Sequence, residues 1–312
     1  MVTFKIAFLN VLIALLYMVP AFALCKAKKA VAEHLSTISS ILIYICSPCM
    51  IVSAFLSFEY SKENLLNMGM FFVVAMILQV IFMGILYIVL KKKFAISKYR
   101  MLTIGSVLSN CGFFGLPLVK ALLPNNPEVA CYSSIYVVAM NIIVFTAGVY
   151  CLTTDKKYMS VRSAFLNPAF FSFLVALPLY IFNGSEWLPD ILLDAVGLLG
   201  KMTTPMCMII LGIRLATMDF KKLFTNPFVY LICGFKLIVF PLFCFACVYF
   251  LPLPMSFKAS ILILAGTPCA SIILNLAEIH GKEPQMSANC ILLSTLLSIF
   301  TIPLLSLLFG IL

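Results

Sequence analysis

The chain has 312 residues, of which 63% are apolar and only 10% charged, with a mean hydropathy of +1.15. A water-facing fold cannot cover that much apolar surface, so a soluble domain is excluded. With roughly 20 residues per membrane crossing, ten crossings take about 200 positions, and this excludes a nucleic-acid reader despite the +10 charge and a secreted disulfide scaffold despite twelve cysteines.

Long apolar runs bounded by charges or by Pro, Gly and Asn predict ten helical spans. The first five fall near residues 4–25, 35–56, 67–90, 101–123 and 129–152; the second five near 165–182, 190–214, 227–251, 258–280 and 286–311. In the first span, Ala21-Phe22-Ala23 has the small-residue pattern of a signal-peptide cleavage site. Its apolar run is long and its basic cluster follows the run, so the span reads as retained. The sixth span is short and bracketed by Pro168 and Pro178.

Basic residues crowd the connections after the first, third, fifth and seventh spans. They are Lys26, Lys28 and Lys29; Lys91, Lys92, Lys93, Lys98 and Arg100; Lys156, Lys157 and Arg162; and Lys221 and Lys222. The other side holds scattered cations such as Lys5, Lys62 and Lys258. The positive-inside rule makes the rich loops cytoplasmic and puts both termini on the outer side of the plasma membrane. The acidic neighbour implied by the +10 balance is then the anionic headgroup of the lipid bilayer, not a nucleic acid.

Landmarks recur at one offset. Pro48 and Pro205 lie 157 positions apart, as do Pro127 and Pro284, while Arg100 and Lys258 differ by 158. This predicts a five-helix unit used twice, residues 1–154 and 163–312. Because five is odd, the second copy is inverted, which is the plan of many secondary transporters.

The two fourth spans of these units carry matched interruptions, Ser109 to Pro117 with Asn110, Gly112 and Gly115, and Leu264 to Ser271 with Gly266, Thr267 and Pro268. Gly and Pro free backbone groups that lipid cannot satisfy, so such breaks survive only where protein or water covers them. Paired breaks in two repeats point to a midplane binding site, and the half-helix amino ends there aim partial positive charge at an anion.

Few other residues carry chemistry. Lys236, deep in the eighth span, reads as a buried counter-charge, and Lys201, one turn before Pro205, as an interface or anion-path cation. The eleven acidic residues, Asp219 among them, fall in loops or at span ends, so no ion coupling is assigned. Gln79 reads as a packing residue. Cys46 and Cys49 around Pro48, with Met206, Cys207 and Met208 after Pro205, allow a rival reading as a soft-metal (copper) path. An integral-membrane enzyme is the remaining class; His34 and His280 are the only histidines, no H-E-x-x-H occurs, and no cofactor is implied.

At the breaks the sequence resembles the auxin efflux carrier family, whose bacterial members include malate and malonate permeases. Asn110 to Leu118 is similar to its N-x-x-F-x-G-x-P-L segment, and Pro205 to Leu215 to its P…L-G-x-x-L segment. Gly266-Thr267-Pro268, Ala277, His280-Gly281, Ser294 to Ser298 and Thr301 to Leu304 resemble its carboxyl-terminal pattern. The resemblance implies an all-α membrane protein of ten transmembrane helices in two inverted repeats, with a sodium/proton antiporter-like fold. Spans 1, 2, 6 and 7 would form a scaffold, and spans 3–5 and 8–10 a transport domain whose broken helices 4 and 9 cross. It also implies an elevator-like cycle and a homodimer through the scaffold. Carried over, Asn110, Gly112 and Pro117 match the fourth-helix break, Pro268 matches the ninth, and Asn141 lies near a polar position of the fifth helix. The long cytoplasmic loop of plant members is reduced here to about a dozen residues. The expected function is transport of a small organic anion, a mono- or dicarboxylate such as malate.

Overall fold

The computed structural model describes residues 2–218 and 220–311, and among these it is all-helical, with no strand. Asp219 and the side chains of Lys221 and Lys222, counted above among the loop charges, lie outside the described residues.

Among the described residues eight helices are long and apolar enough to cross a membrane: α1 (Thr3–Lys26), α2 (Ala32–Phe55), α3 (Lys62–Lys93), α6 (Val129–Thr153), α7 (Lys156–Ile181), α8 (Asp190–Thr217), α9 (Pro227–Tyr249) and α12 (Pro284–Ile311). The chain is therefore a multi-pass membrane protein. The fourth and ninth predicted spans are each split in two, α4 (Ser97–Gly105) with α5 (Cys111–Leu122), and α10 (Met255–Gly266) with α11 (Ile272–Ile279). The sixth span is longer than its hydropathy suggested, because helical turns from Lys156 precede it. Asn167 then restarts the helix by accepting the Phe170 N–H at 3.0 Å ahead of Pro168.

Proline leaves a second mark. The stretches Leu42–Cys46, Cys111–Gly115 and Phe235–Val239 are wound as wider π-turns, and each lies just before a proline, Pro48, Pro117 or Pro241. A proline removes one donor and displaces the carbonyl four residues earlier, so the ladder widens there.

Alternate connections gather at opposite ends of the bundle. At one end Lys26 Nζ donates to Ala216 O at 3.0 Å, Ser97 Oγ bonds Glu283 Oε1, and Tyr158 meets His280 edge to face. At the other end the Tyr60 N–H donates to Asn183 Oδ1 at 3.0 Å and the Ser61 N–H to the Tyr180 hydroxyl at 3.1 Å. Arg100, counted from sequence with the loop cations, is in fact buried. Its guanidinium donates to Leu152 O (3.1 Å), Phe94 O (3.1 Å) and Ala95 O (2.9 Å), ending α6 and the α3–α4 connection.

Packing links α1 with α8, α2 with both α7 and α8, α3 with α6, and α9 with α10 and α12. The amino-terminal part of α1, Val2–Leu16, also packs along α12, so these groups share a wall. The closest approach is at Gly212 of α8, where a Cβ would stand 2.4 Å from the Met18 carbonyl oxygen of α1. Such small residues let membrane helices touch backbone to backbone. Gly212→Ala should push α1 and α8 apart and cost about 1–3 kcal/mol, the range for overpacking. A thermal melt of the purified variant checks this, and an unchanged midpoint would contradict it.

Candidate functional site

The chain leaves α4 after Gly105 and re-enters a helix at Cys111; it leaves α10 after Gly266 and re-enters at Ile272. The two unwound segments run antiparallel across each other. The Asn110 N–H donates to Pro268 O at 2.8 Å, the Ala270 N–H donates to Leu108 O at 3.0 Å, and Ser109 faces Cys269 in an isolated bridge. Each break thus satisfies the other's backbone.

Side chains finish the accounting. Ser294 Oγ of α12 accepts the Cys269 N–H at 3.0 Å, Ser133 Oγ of α6 donates to Cys111 O at 2.7 Å, and Thr204 Oγ1 of α8 donates to Phe113 O at 2.6 Å. Thr267 Oγ1 turns back to Leu264 O at 2.8 Å. Glycine permits the crossing to close: a Cβ on Gly115 would meet Leu264 Cδ2 at 2.7 Å and Thr267 Cγ2 at 3.3 Å. Lys236 of α9 is fully buried and donates from Nζ to Ser109 Oγ and Ala265 O, both at 2.5 Å.

A cavity of about 680 Å³ reaches the crossing from one side. Asn110, Cys111, Gly112, Ala270, Ser271 and Ile272 line it, so it meets the amino-terminal turns of α5 and α11. Asn141 and Cys207 add to its walls, and Arg162 and Arg214 also line it. Among the described residues, none that lines it is acidic. Arg214 pairs with Glu278 at 3.5 Å; Glu278 is half exposed and does not itself line the cavity.

Of the residues singled out by sequence, Asn110, Gly112 and Asn141 line the cavity. Gly115 and Pro117 lie further along α5, Gly266 and Thr267 end α10, and Pro268 supplies the carbonyl that receives Asn110; none of these five lines it. Lys236 contacts the crossing without lining the cavity, and Lys201 is exposed and away from it. Sequence reasoning named Ser271 only as the end of the second break and Arg162 only as a loop cation, and it missed Asn275 and Arg214. A signal existed for two of them, since Ser271 and Asn275 are four apart and share a helix face directly after the second break.

The sequence pattern of a family described as membrane transport protein matches residues 6–165 and 153–306. The chain belongs to this family, that of the auxin efflux carriers. No curated protein matches the chain. Auxin efflux carriers are transporters, so membership favours neither the enzyme nor the copper alternative. Among the described residues no three His, Cys, Asp or Glu side chains are grouped to hold a metal ion.

If the crossing depends on its side-chain acceptors, Ser294→Ala should strand the buried Cys269 N–H at a cost of about 1–3 kcal/mol. The expected result is a lower melting midpoint together with weakened transport. A variant with wild-type stability would show that the bond is dispensable.

Proposed function

We propose that the chain is a plasma-membrane permease for a small organic anion, a mono- or dicarboxylate such as malate, working by alternating access. The observation that carries this reading is the cavity itself: it ends on two half-helix amino termini, is lined by two arginines, and has no acidic lining residue among the described residues.

The first turn of a helix leaves N–H groups without intrahelical acceptors, and its dipole favours negative charge. Cys111, Gly112, Phe113, Ser271 and Ile272 bring such backbone to the cavity from α5 and α11. The Asn110 amide has only a weak contact, Nδ2 to Cys207 Sγ at 3.8 Å, so it is available to donate to a carboxylate. Arg214 is held by a partly exposed ion pair, a type worth about 0–1 kcal/mol, so a passing anion can draw it away cheaply. Two arginines on an acid-free cavity also raise the local anion concentration.

The architecture that fits this role has ten spans in two inverted five-helix repeats, residues 1–154 and 163–312. α1, α2, α7 and α8 serve as scaffold and dimer contact, and the remaining helices carry the crossing across the membrane. With the basic loops cytoplasmic and both termini outside, the cavity opens inward, because Arg214 lies close to Ala216, the acceptor of Lys26.

Protein reconstituted in liposomes should move labelled malate. Asn110→Ala should lower that flux about tenfold or more at unchanged expression, as expected for losing a hydrogen bond to a charged group. Arg214→Gln should slow uptake and flatten its dependence on ionic strength. Wild-type flux in both variants would overturn the site assignment.

A further inference from the structure

A second hollow, apart from the cavity at the crossing, lies between the amino-terminal part of α3 and the α9–α10 connection, residues 250–254. It is a groove of about 700 Å³, and among the described residues every one that lines it except Lys62 is apolar. Lys62, Leu66, Gly69 and Val73 recur at helical spacing and make one wall; Leu251, Pro252 and Leu253 make the other. Pro252 fixes the backbone of the second wall, and the Leu253 N–H donates to Leu251 O at 2.8 Å, so that wall is shaped before anything binds. Gly69 leaves the floor open, because a Cβ added there would meet nothing within 4 Å.

Length and charge describe the occupant. From Lys62 to Val74, the lining residue of α3 furthest along the helix, twelve positions rise about 18 Å. That distance runs from headgroup level to about the middle of a hydrocarbon core roughly 30 Å thick. The groove therefore matches one acyl chain of one leaflet and is too short for a helix that crosses the membrane. A helix from a second copy would also seat on a stripe of small residues, and the positions four before and four after Gly69 are Leu65 and Val73. Lys62 stands at the mouth, where α3 begins. Among the described residues the only ion pair is that of Arg214 with Glu278, so the Lys62 ammonium has no carboxylate partner and can receive a phosphate. Glu59 and Glu63, both exposed, lie within three residues of it; they repel a headgroup of net negative charge and attract an ammonium.

We propose that this groove is a phospholipid site, with one acyl chain laid against Gly69 and the phosphate on Lys62, and that it prefers a zwitterionic lipid headed by a primary ammonium, phosphatidylethanolamine. The lipid belongs to the leaflet at the Tyr60–Tyr180 end of the bundle, which is the outer one in the orientation proposed above. The site is independent of the substrate reading, since no lining residue of the groove lines the cavity at the crossing.

Native mass spectrometry of the delipidated protein, titrated with dioleoyl phosphatidylethanolamine, dioleoyl phosphatidylglycerol or dioleoylglycerol, tests this. Gly69→Phe fills the groove and should weaken phosphatidylethanolamine binding about tenfold or more, the size of losing a few methylene contacts. Gly84→Phe is the matched control: Gly84 lies on the same helix, has equally open space and does not line the groove, so its substitution should leave binding unchanged. Both variants should melt as the wild type does, and equal lipid affinity in the two would overturn the proposal. Lys62→Gln should lower phosphatidylethanolamine affinity about fivefold, as for one lysine near a lipid surface, and leave dioleoylglycerol, which has no phosphate, unaffected. An equal change for both lipids would overturn the proposal. The wild type should hold phosphatidylethanolamine about threefold or more tightly than phosphatidylglycerol, the scale of exposed charge pairs, and the reverse preference would overturn it. A change of oligomeric state in Gly69→Phe but not in Gly84→Phe, at constant lipid, would show that the face docks a second copy and would equally overturn it.

Discussion

The structure depends on one constraint, that two unwound segments in a membrane must satisfy each other's backbone. Water is scarce there and lipid offers no hydrogen bonds, so a lone break would leave several groups unpaired. The pairing of Asn110 with Pro268 and of Ala270 with Leu108 resolves this reciprocally. Neither break is tolerable without the other, which ties the two halves of the chain together at their most delicate point.

Much of the surrounding chemistry follows from the groups the pairing does not reach. Ser294, Ser133 and Thr204 come from three different helices to bond the backbone at or just beyond the crossing, and Lys236 approaches the carboxyl end of α10. What remains open are the amino-terminal turns of α5 and α11, and these are the turns the cavity reaches. The same geometry therefore closes the negative helix end with a lysine and leaves positive ends facing the cavity. Membership of the auxin efflux carrier family agrees with a machine built for transport.

The breaks were legible because Gly, Pro and Asn interrupt an otherwise continuous apolar run, and few other arrangements explain such an interruption in lipid. Asn110 and Gly112 fall on the cavity wall for that reason. Gly115 and Thr267 were equally visible in sequence yet serve contact between the breaks, where a Cβ on the glycine would press on the threonine methyl. Arg214 was invisible because it ends a span, and an arginine at a span end ordinarily marks only the interface. Arg100 illustrates the converse: it looks like a loop cation but is buried, capping three carbonyls.

By itself the sequence determined the membrane class, the approximate positions of the apolar spans and the positions of both breaks. These are properties of local composition, since hydropathy, proline and loop charge act residue by residue. Only the tertiary structure decided that the breaks pair antiparallel, that Lys236 bonds Ala265 and Ser109, and which turns face the cavity. Most of those facts join residues more than 100 positions apart, as Ser109 and Lys236 are, and a hydrogen bond of 2.5 Å depends on how whole helices pack.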